Sequence, residues 1–184
     1  VGVKQNLAKA RKLFRKAAKQ GNAQAQYEIG IAYIDIGYVD SKTTEKGLDW
    51  LEKAAEQGIV EAQYRLGKYY QKDIGGFCLG EPIAVGWFKK AAEQGFAEAQ
   101  LELGMYYVNR YTSDDILAFE YFEKAAEQGL AKAQYVLGQC YYKGRGIWKD
   151  KRLAAEWLDR AAKQGEKEAK KLLKVIEKED RESS

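Results

Sequence analysis

Two thiols, Cys78 and Cys140, are the side chains whose type most invites a catalytic reading, and neither has the usual base beside it: the 184 residues contain no histidine. That absence removes the commonest general base, the commonest metal ligand and the usual switch near neutral pH. Two isolated cysteines build neither a zinc site nor a disulfide framework. Carboxylates are plentiful, with 27 Asp and Glu. Nothing in their spacing pairs two of them at a defined, water-excluded position, as a glycoside hydrolase needs. The segment Gly75-Gly76-Phe77-Cys78-Leu79-Gly80 has the glycines of a phosphate-binding loop. It lacks that loop's lysine, its hydroxyl residue and a preceding strand, so it reads as a lengthened loop. No catalytic, cofactor-binding or metal-ligating residue is expected. The chemistry left to the chain is recognition.

A repeat positions the side chains that would do it. The phrase Lys-Ala-Ala-Glu-Gln-Gly stands at Lys53–Gly58, Lys90–Gly95 and Lys124–Gly129, with variants at Lys16–Gly21 and Arg160–Gly165. The closing glycines are spaced 37, 37, 34 and 36 residues apart, a period that marks a solenoid of stacked units. Within Leu130–Gly165, apolar and small residues recur three, four and seven apart in two stretches, so the unit is two helices. Ala133, Tyr135, Leu137, Gly138 and Tyr141 lie on the first. Gly144 and Gly146 mark a turn, and Ala154, Trp157, Leu158, Ala161 and Ala162 lie on the second.

Equivalent positions line up along the chain. Leu13, Trp50, Trp87, Tyr121 and Trp157 form one set, and Phe14, Leu51, Phe88, Phe122 and Leu158 the next; both are expected to fill the core. Gly30, Gly67, Gly104 and Gly138 fall inside first helices. A mid-helix glycine costs roughly 1 kcal/mol against alanine, and its recurrence in register predicts a close approach of the partner helix. The closing glycines are predicted to be left-handed helix ends. Thr43 and Asp114 are expected to cap helices, and Pro82 to sit just inside one.

Composition narrows the partners. The net charge is +4, from 31 basic and 27 acidic residues with the two signs interspersed, which is no footprint for nucleic acid. No stretch of about 18 apolar residues exists, so membrane insertion is not expected, and no signal peptide is visible. The sparse cysteines lean toward the cytoplasm. A periplasmic or secreted protein with its N-terminal signal removed stays open.

The pattern Ala133, Tyr135, Leu137-Gly138, Tyr141, Gly144, Gly146, Asp150, Ala154, Trp157, Ala161-Ala162 and Gly165 resembles the Sel-1-like repeat family of the tetratricopeptide-like superfamily. The resemblance runs along almost the whole chain. It implies an all-α fold: a right-handed superhelical solenoid of antiparallel helix pairs whose first helices line a concave face. It also implies an adaptor or scaffold in protein complexes, of the kind found in protein quality control, signalling, envelope assembly and bacterium–host contact. The phrase itself points to a bacterial protein. The cysteine-rich branch of the family, stapled by a disulfide in each repeat, does not fit two cysteines. The array divides into a half repeat over 1–21 that holds a second helix only, repeats over 22–58, 59–95, 96–129 and 130–165, and a capping helix with a tail over 166–184. A first helix is expected to precede Val1 in the parent protein. In the cap, Lys174 replaces the mid-helix glycine and Glu177 the tyrosine, giving one polar face. Glu179–Ser184 is expected to fray.

If Gln26, Ile29, Gly30 and Tyr33 face the core, 100° per residue turns Gln24, Glu28, Ile31 and Asp35 away from it. The equivalent sets are Glu61, Arg65, Lys68 and Lys72; Glu98, Glu102, Met105 and Asn109; and Lys132, Val136, Gln139 and Lys143. This stripe varies between repeats while the core stripe does not, and its apolar members Ile31, Met105 and Val136 are unusual on a solvated face. It is expected to read a protein or peptide, with Arg65, Lys68 and Lys72 suited to a carboxylate. Tyr69 and Tyr106 fall at the edge between neighbouring first helices, as packing or as groove aromatics. For any single stripe residue a solvated face without a ligand is the alternative. For the whole chain the alternatives are an envelope-polymer hydrolase and a self-assembling array with head-to-tail contacts.

Overall fold

The computed structural model describes residues 12–36, 41–72, 81–108 and 114–182. All regular structure among them is α-helix. Helix α1 covers residues 12–19. It is followed by α2 (Ala23–Ile36), α3 (Ser41–Glu56), α4 (Val60–Lys72), α5 (Glu81–Glu93), α6 (Ala97–Val108), α7 (Asp115–Glu127), α8 (Ala131–Lys143), α9 (Lys151–Lys163) and α10 (Lys167–Glu182). The chain forms two compact units, residues 1–91 and 92–184. In each, consecutive helices pack as antiparallel hairpins. In the first unit Gly47 of α3 faces both Gly30 and Ile34 of α2; in the second, Asp150 N–H donates to Tyr141 C=O across the α8–α9 turn at 2.9 Å.

The mid-helix glycines are sockets. A Cβ on Gly67 would stand 2.5 Å from the Phe88 ring, one on Gly30 2.8 Å from Leu51 Cγ, and one on Gly138 2.7 Å from Leu158 Cγ. At Gly104 it would run into the ring of Phe122. The expected close approach is therefore a large second-helix side chain lying on bare first-helix backbone. Leu51, Phe88, Phe122 and Leu158 are all fully buried there.

Each phrase ends its helix in the same way. Gly58 N–H donates to Ala55 C=O at 3.0 Å and Ile59 N–H to Ala54 C=O at 3.1 Å. The pair recurs at Gly21 and Asn22, at Gly129 and Leu130, and at Gly165 and Glu166. This double bond pattern needs a left-handed residue at the turn, and the glycines supply it with φ between 86° and 97°.

A buried glutamine clasp then ties a first helix to the helix ends before and after it in sequence. Gln26, Gln63, Gln100 and Gln134 are buried. Each donates its Nε2 to the carbonyl of the preceding phrase's second alanine: Ala18, Ala55, Ala92 and Ala126, at 3.1, 3.0, 3.4 and 3.2 Å. The free amide oxygen accepts from the phrase glutamine about one repeat later: Gln57 to Gln26 at 2.6 Å, Gln128 to Gln100 at 2.8 Å and Gln164 to Gln134 at 2.8 Å. No buried side-chain polar atom among the described residues is left without a partner, as a cooperative buried polar network requires.

Several expectations need correction. The Trp50, Trp87, Tyr121 and Trp157 positions are half-buried rather than core. Their outer faces carry the phrase cation three residues on, with Lys53 4.8 Å, Lys90 4.2 Å, Lys124 5.6 Å and Arg160 4.3 Å from the ring centroid. Leu13 and Phe14 are 66% and 47% exposed, because no described first helix lies over α1. Thr43 stands inside α3, which begins at Ser41, rather than ahead of its first turn. Asp114 does cap α7, accepting from Leu117 N–H at 3.0 Å, and Pro82 is the second residue of α5. Residues 179–182 do not fray. Glu179 accepts from Tyr142 Oη at 2.6 Å and pairs with Lys151 Nζ at 2.8 Å, which pins the last turn of α10. The bond from Lys151, with that from Tyr142, holds the Glu179 carboxyl below its ordinary range. Lys174 and Glu177 are exposed. Cys78 and the glycines around it lie outside the described residues.

The sockets predict opposite outcomes for two similar changes. Gly104→Ala is expected to destabilise the chain, because an overpacking cost of about 1–3 kcal/mol exceeds the helix-propensity gain of about 1 kcal/mol. Gly86→Ala, with open space around the new methyl, is expected to stabilise it by about 0.5–1 kcal/mol; urea denaturation of both variants checks the pair. For the clasp, Gln134→Ala and Gln164→Ala should each cost about 1 kcal/mol. Their double-mutant cycle should show a coupling of about 0.5–1.5 kcal/mol, and additive effects would contradict the clasp.

Candidate functional site

With the phrase's alanines, glutamine and glycine taken up by turns and clasps, the first helices still present outward side chains that do not repeat. On α2, Gln24 and Glu28 are exposed and bonded to each other, Nε2 to Oε1, at 3.1 Å. Ile31 is half-buried against the Leu51 and Ala54 cluster, so packing explains its apolar character. On α4, Glu61 and Arg65 are exposed, and half-buried Lys68 donates to Gln71 Oε1 at 2.5 Å. Tyr69 lies edge-on to Tyr70 and Tyr106 to Tyr107, each within its own helix. On α6, Glu98 is exposed, Glu102 half-buried and Met105 47% exposed. On α8, Lys132 is exposed, while Val136 and Gln139 are half-buried. Val136 packs on the Leu137 and Phe122 core, and Gln139 donates to Tyr135 Oη at 2.7 Å.

Five of the stripe residues meet. Met105, Lys132, Val136, Gln139 and Lys143 line one cleft of about 260 Å³ in the second unit, together with Val108, Tyr135 and Arg145, over Phe122 and Cys140. The other described stripe residues do not line it. Reading one helix at a time singled out neither Val108 nor Arg145 for binding, and it took Tyr135 for a core residue. The signal that would have found them is the pairing of α6 with α8. No carboxylate lines the cleft, and three cations do. Arg145 is committed, its Nε donating to Asp115 Oδ1 at 2.9 Å. Neither Lys132 nor Lys143 has an ion-pair partner among the described residues. Lys143 suits the carboxyl end of α8, whereas Lys132 sits in the first turn, where the helix dipole disfavours a cation. Helix stability therefore does not account for Lys132.

Cys140, 4% exposed on the cleft floor, has its thiol pushed up to about 11 by burial, with Arg145 pulling it down and Asp115 pushing it further up. It is a neutral, weakly nucleophilic surface at physiological pH. No group of three or more acidic or cysteine side chains among the described residues could hold a metal ion, and no described helix is long and apolar enough to cross a membrane.

In a Cys78→Ala background, alkylation of Cys140 by iodoacetamide at pH 7.4 should be on the order of a hundredfold slower than that of a free thiol with its pKa near 8.5. The rate should still be rising tenfold per pH unit at pH 9, where an ordinary thiol has levelled off.

A family model described as the Sel1 repeat matches residues 1–22, 23–59, 60–96, 97–130 and 131–166. Among solved structures, the chain is similar to a protective antigen from uropathogenic Escherichia coli that displays an SLR fold, with 39% identity and a TM-score of 0.78 over 90% of this chain and 36% of that one. It is also similar to a Sel1 repeat protein from Oxalobacter formigenes, with 34% identity and a TM-score of 0.74 over 91% of this chain and 66% of the other. The chain thus spans about a third of the first relative and just under two thirds of the second. The cysteine-rich protein B of Helicobacter pylori, at 23% identity and a TM-score of 0.57 over 74% of this chain and 99% of its own, shares the fold. No curated protein sequence matches the chain. The all-α hairpins and these neighbours place the fold among the tetratricopeptide-like helical-repeat solenoids. With its repeats matched along residues 1–166, the chain belongs to the Sel1 repeat family, whose members are in general protein-interaction modules on a typically non-catalytic scaffold.

Proposed function

We propose that this chain is a non-catalytic adaptor that receives a peptide or a partner protein along the outward stripe of its first helices, α2, α4, α6 and α8. The observation that carries the reading is the division of labour within each repeat. The constant glycines, alanines and glutamines are absorbed by sockets, left-handed turns and amide clasps. What differs from repeat to repeat, from Gln24 and Glu28 through Arg65 and Glu98 to Met105 and Lys132, stays at the surface. A surface that varies on an invariant frame is how repeat proteins obtain specificity without changing fold. The second unit supports the reading with a cleft built from two adjacent first helices.

Site-specific photo-cross-linking tests it. A photoreactive side chain at Glu98 or Arg65 should trap partner proteins, and one at Lys89, exposed on the second helix α5, should trap none of them. Substituting Arg65→Glu together with Met105→Ala should reduce the Glu98 adduct several-fold. Equal trapping from Lys89, or no adduct from any stripe position, would sink the adaptor reading.

A further inference from the structure

We infer that the α6–α8 cleft docks a short acidic segment of a partner protein: an extended stretch with one apolar side chain at its centre and a carboxylate toward each end. The inference rests on the adaptor reading and adds the chemistry of what is bound.

The geometry is that of a linear site. Lys132, Tyr135, Val136, Gln139, Cys140 and Lys143 are spaced three, four, seven, eight and eleven residues along α8, one continuous face of that helix. Met105 and Val108 of α6 form the opposite wall, and buried Phe122 is part of the floor. At about 260 Å³ the cleft lies below the roughly 300–1,000 Å³ of pockets that enclose small-molecule ligands. It has room for a side chain rather than a cofactor. Its walls are hydrocarbon, an aromatic ring and a neutral thiol. Met105, flexible and 47% exposed, can fold over an apolar guest.

Charge sets the rest of the ligand. Lys132 and Lys143 stand at the two ends of α8, about 16 Å apart at roughly 1.5 Å per residue. An extended chain covers that distance in about five residues at roughly 3.3 Å each. A segment with acidic residues five apart and an apolar residue between them would place each carboxylate at a lysine and the apolar group over Phe122. Arg145, neutralised by Asp115, adds no net charge beyond Lys143, so the two lysines carry the attraction. The same outward stripe of α6 carries Glu98 and Glu102, and this argues against a longer polyanion. A nucleic-acid backbone laid across both helices would meet two carboxylates, whereas none lines the cleft itself.

The test uses the full chain and fluorescein-labelled acetyl-Asp-Ser-Leu-Ser-Ser-Asp-amide, read by fluorescence anisotropy at low ionic strength. This peptide should bind, and added salt should weaken it. The analogue with lysine in place of both aspartates, and the analogue with serine in place of leucine, should each bind about tenfold more weakly or worse. Lys132→Glu and Lys143→Glu should each weaken the acidic peptide about tenfold. Lys89→Glu, the same change of charge on a second helix, should leave it within about twofold. All three lysines are exposed, and circular dichroism will confirm that the variants keep their helix. No binding of the acidic peptide, equal binding of its lysine analogue, or unchanged binding by both cleft variants overturns the inference. A random peptide-display selection separates its failure from that of the adaptor reading. Selected peptides that lack the acidic–apolar–acidic order, or that ignore Lys132→Glu and Lys143→Glu, overturn the cleft ligand and leave the adaptor standing. An empty selection together with empty cross-linking overturns both.

Discussion

A large side chain resting on bare backbone is the contact from which the other arrangements follow. Leu51, Phe88, Phe122 and Leu158 can lie against the first helix of their own hairpin only because glycine stands opposite each of them. That seat sets the distance between the two helices of a hairpin, and close packing turns a small error there into lost contacts along their whole length. With the separation set, the alanine pair at the end of the second helix is buried, and its carbonyls come within reach of the first helix that follows. Both the turn and the clasp use those carbonyls.

The six-residue phrase is accordingly several devices written together. Its cation lies on the aromatic ring one turn earlier. Its two alanines let helices approach, and their carbonyls accept the N–H groups of the turn. The carbonyl of the second alanine accepts twice, from the closing glycine and from a buried glutamine, which matches the two lone pairs of a carbonyl oxygen. The phrase glutamine reaches back to the buried glutamine on the first helix of its own hairpin, and the glycine reverses the chain. Only its glutamate is left without a structural task by the bonds described.

Much of this was legible in the sequence, and the limits were physical. The glycines could be read because a destabilising residue repeated in register demands a compensating contact, and because a left-handed turn leaves few other choices. Gln26 and its equivalents could be placed on the core stripe, but their bonding could not be read: the partner amide is 31 residues away for Gln26. Burial of Leu13 failed for a related reason, since a position is core only if something covers it. The tail was misjudged because the pair that pins it joins Glu179 to Tyr142 and Lys151, distant in sequence. At the candidate site, periodicity along one helix found Met105, Lys132, Val136, Gln139 and Lys143. It could not show which of them share a space, because the cleft belongs to two helices at once.

The clasp also bears on how such a chain can change its length. Its donors and acceptors occupy the same positions in successive repeats, so a hairpin removed or duplicated whole presents its neighbours with the partners they had before. Growth and loss by whole units strand no buried amide, whereas a cut at any other period would. Helix α10 departs from that pattern. Lys170 stands where the next acceptor glutamine would be and Lys174 where the next socket would be. At these two positions α10 carries charge that water can solvate rather than an amide waiting for a partner.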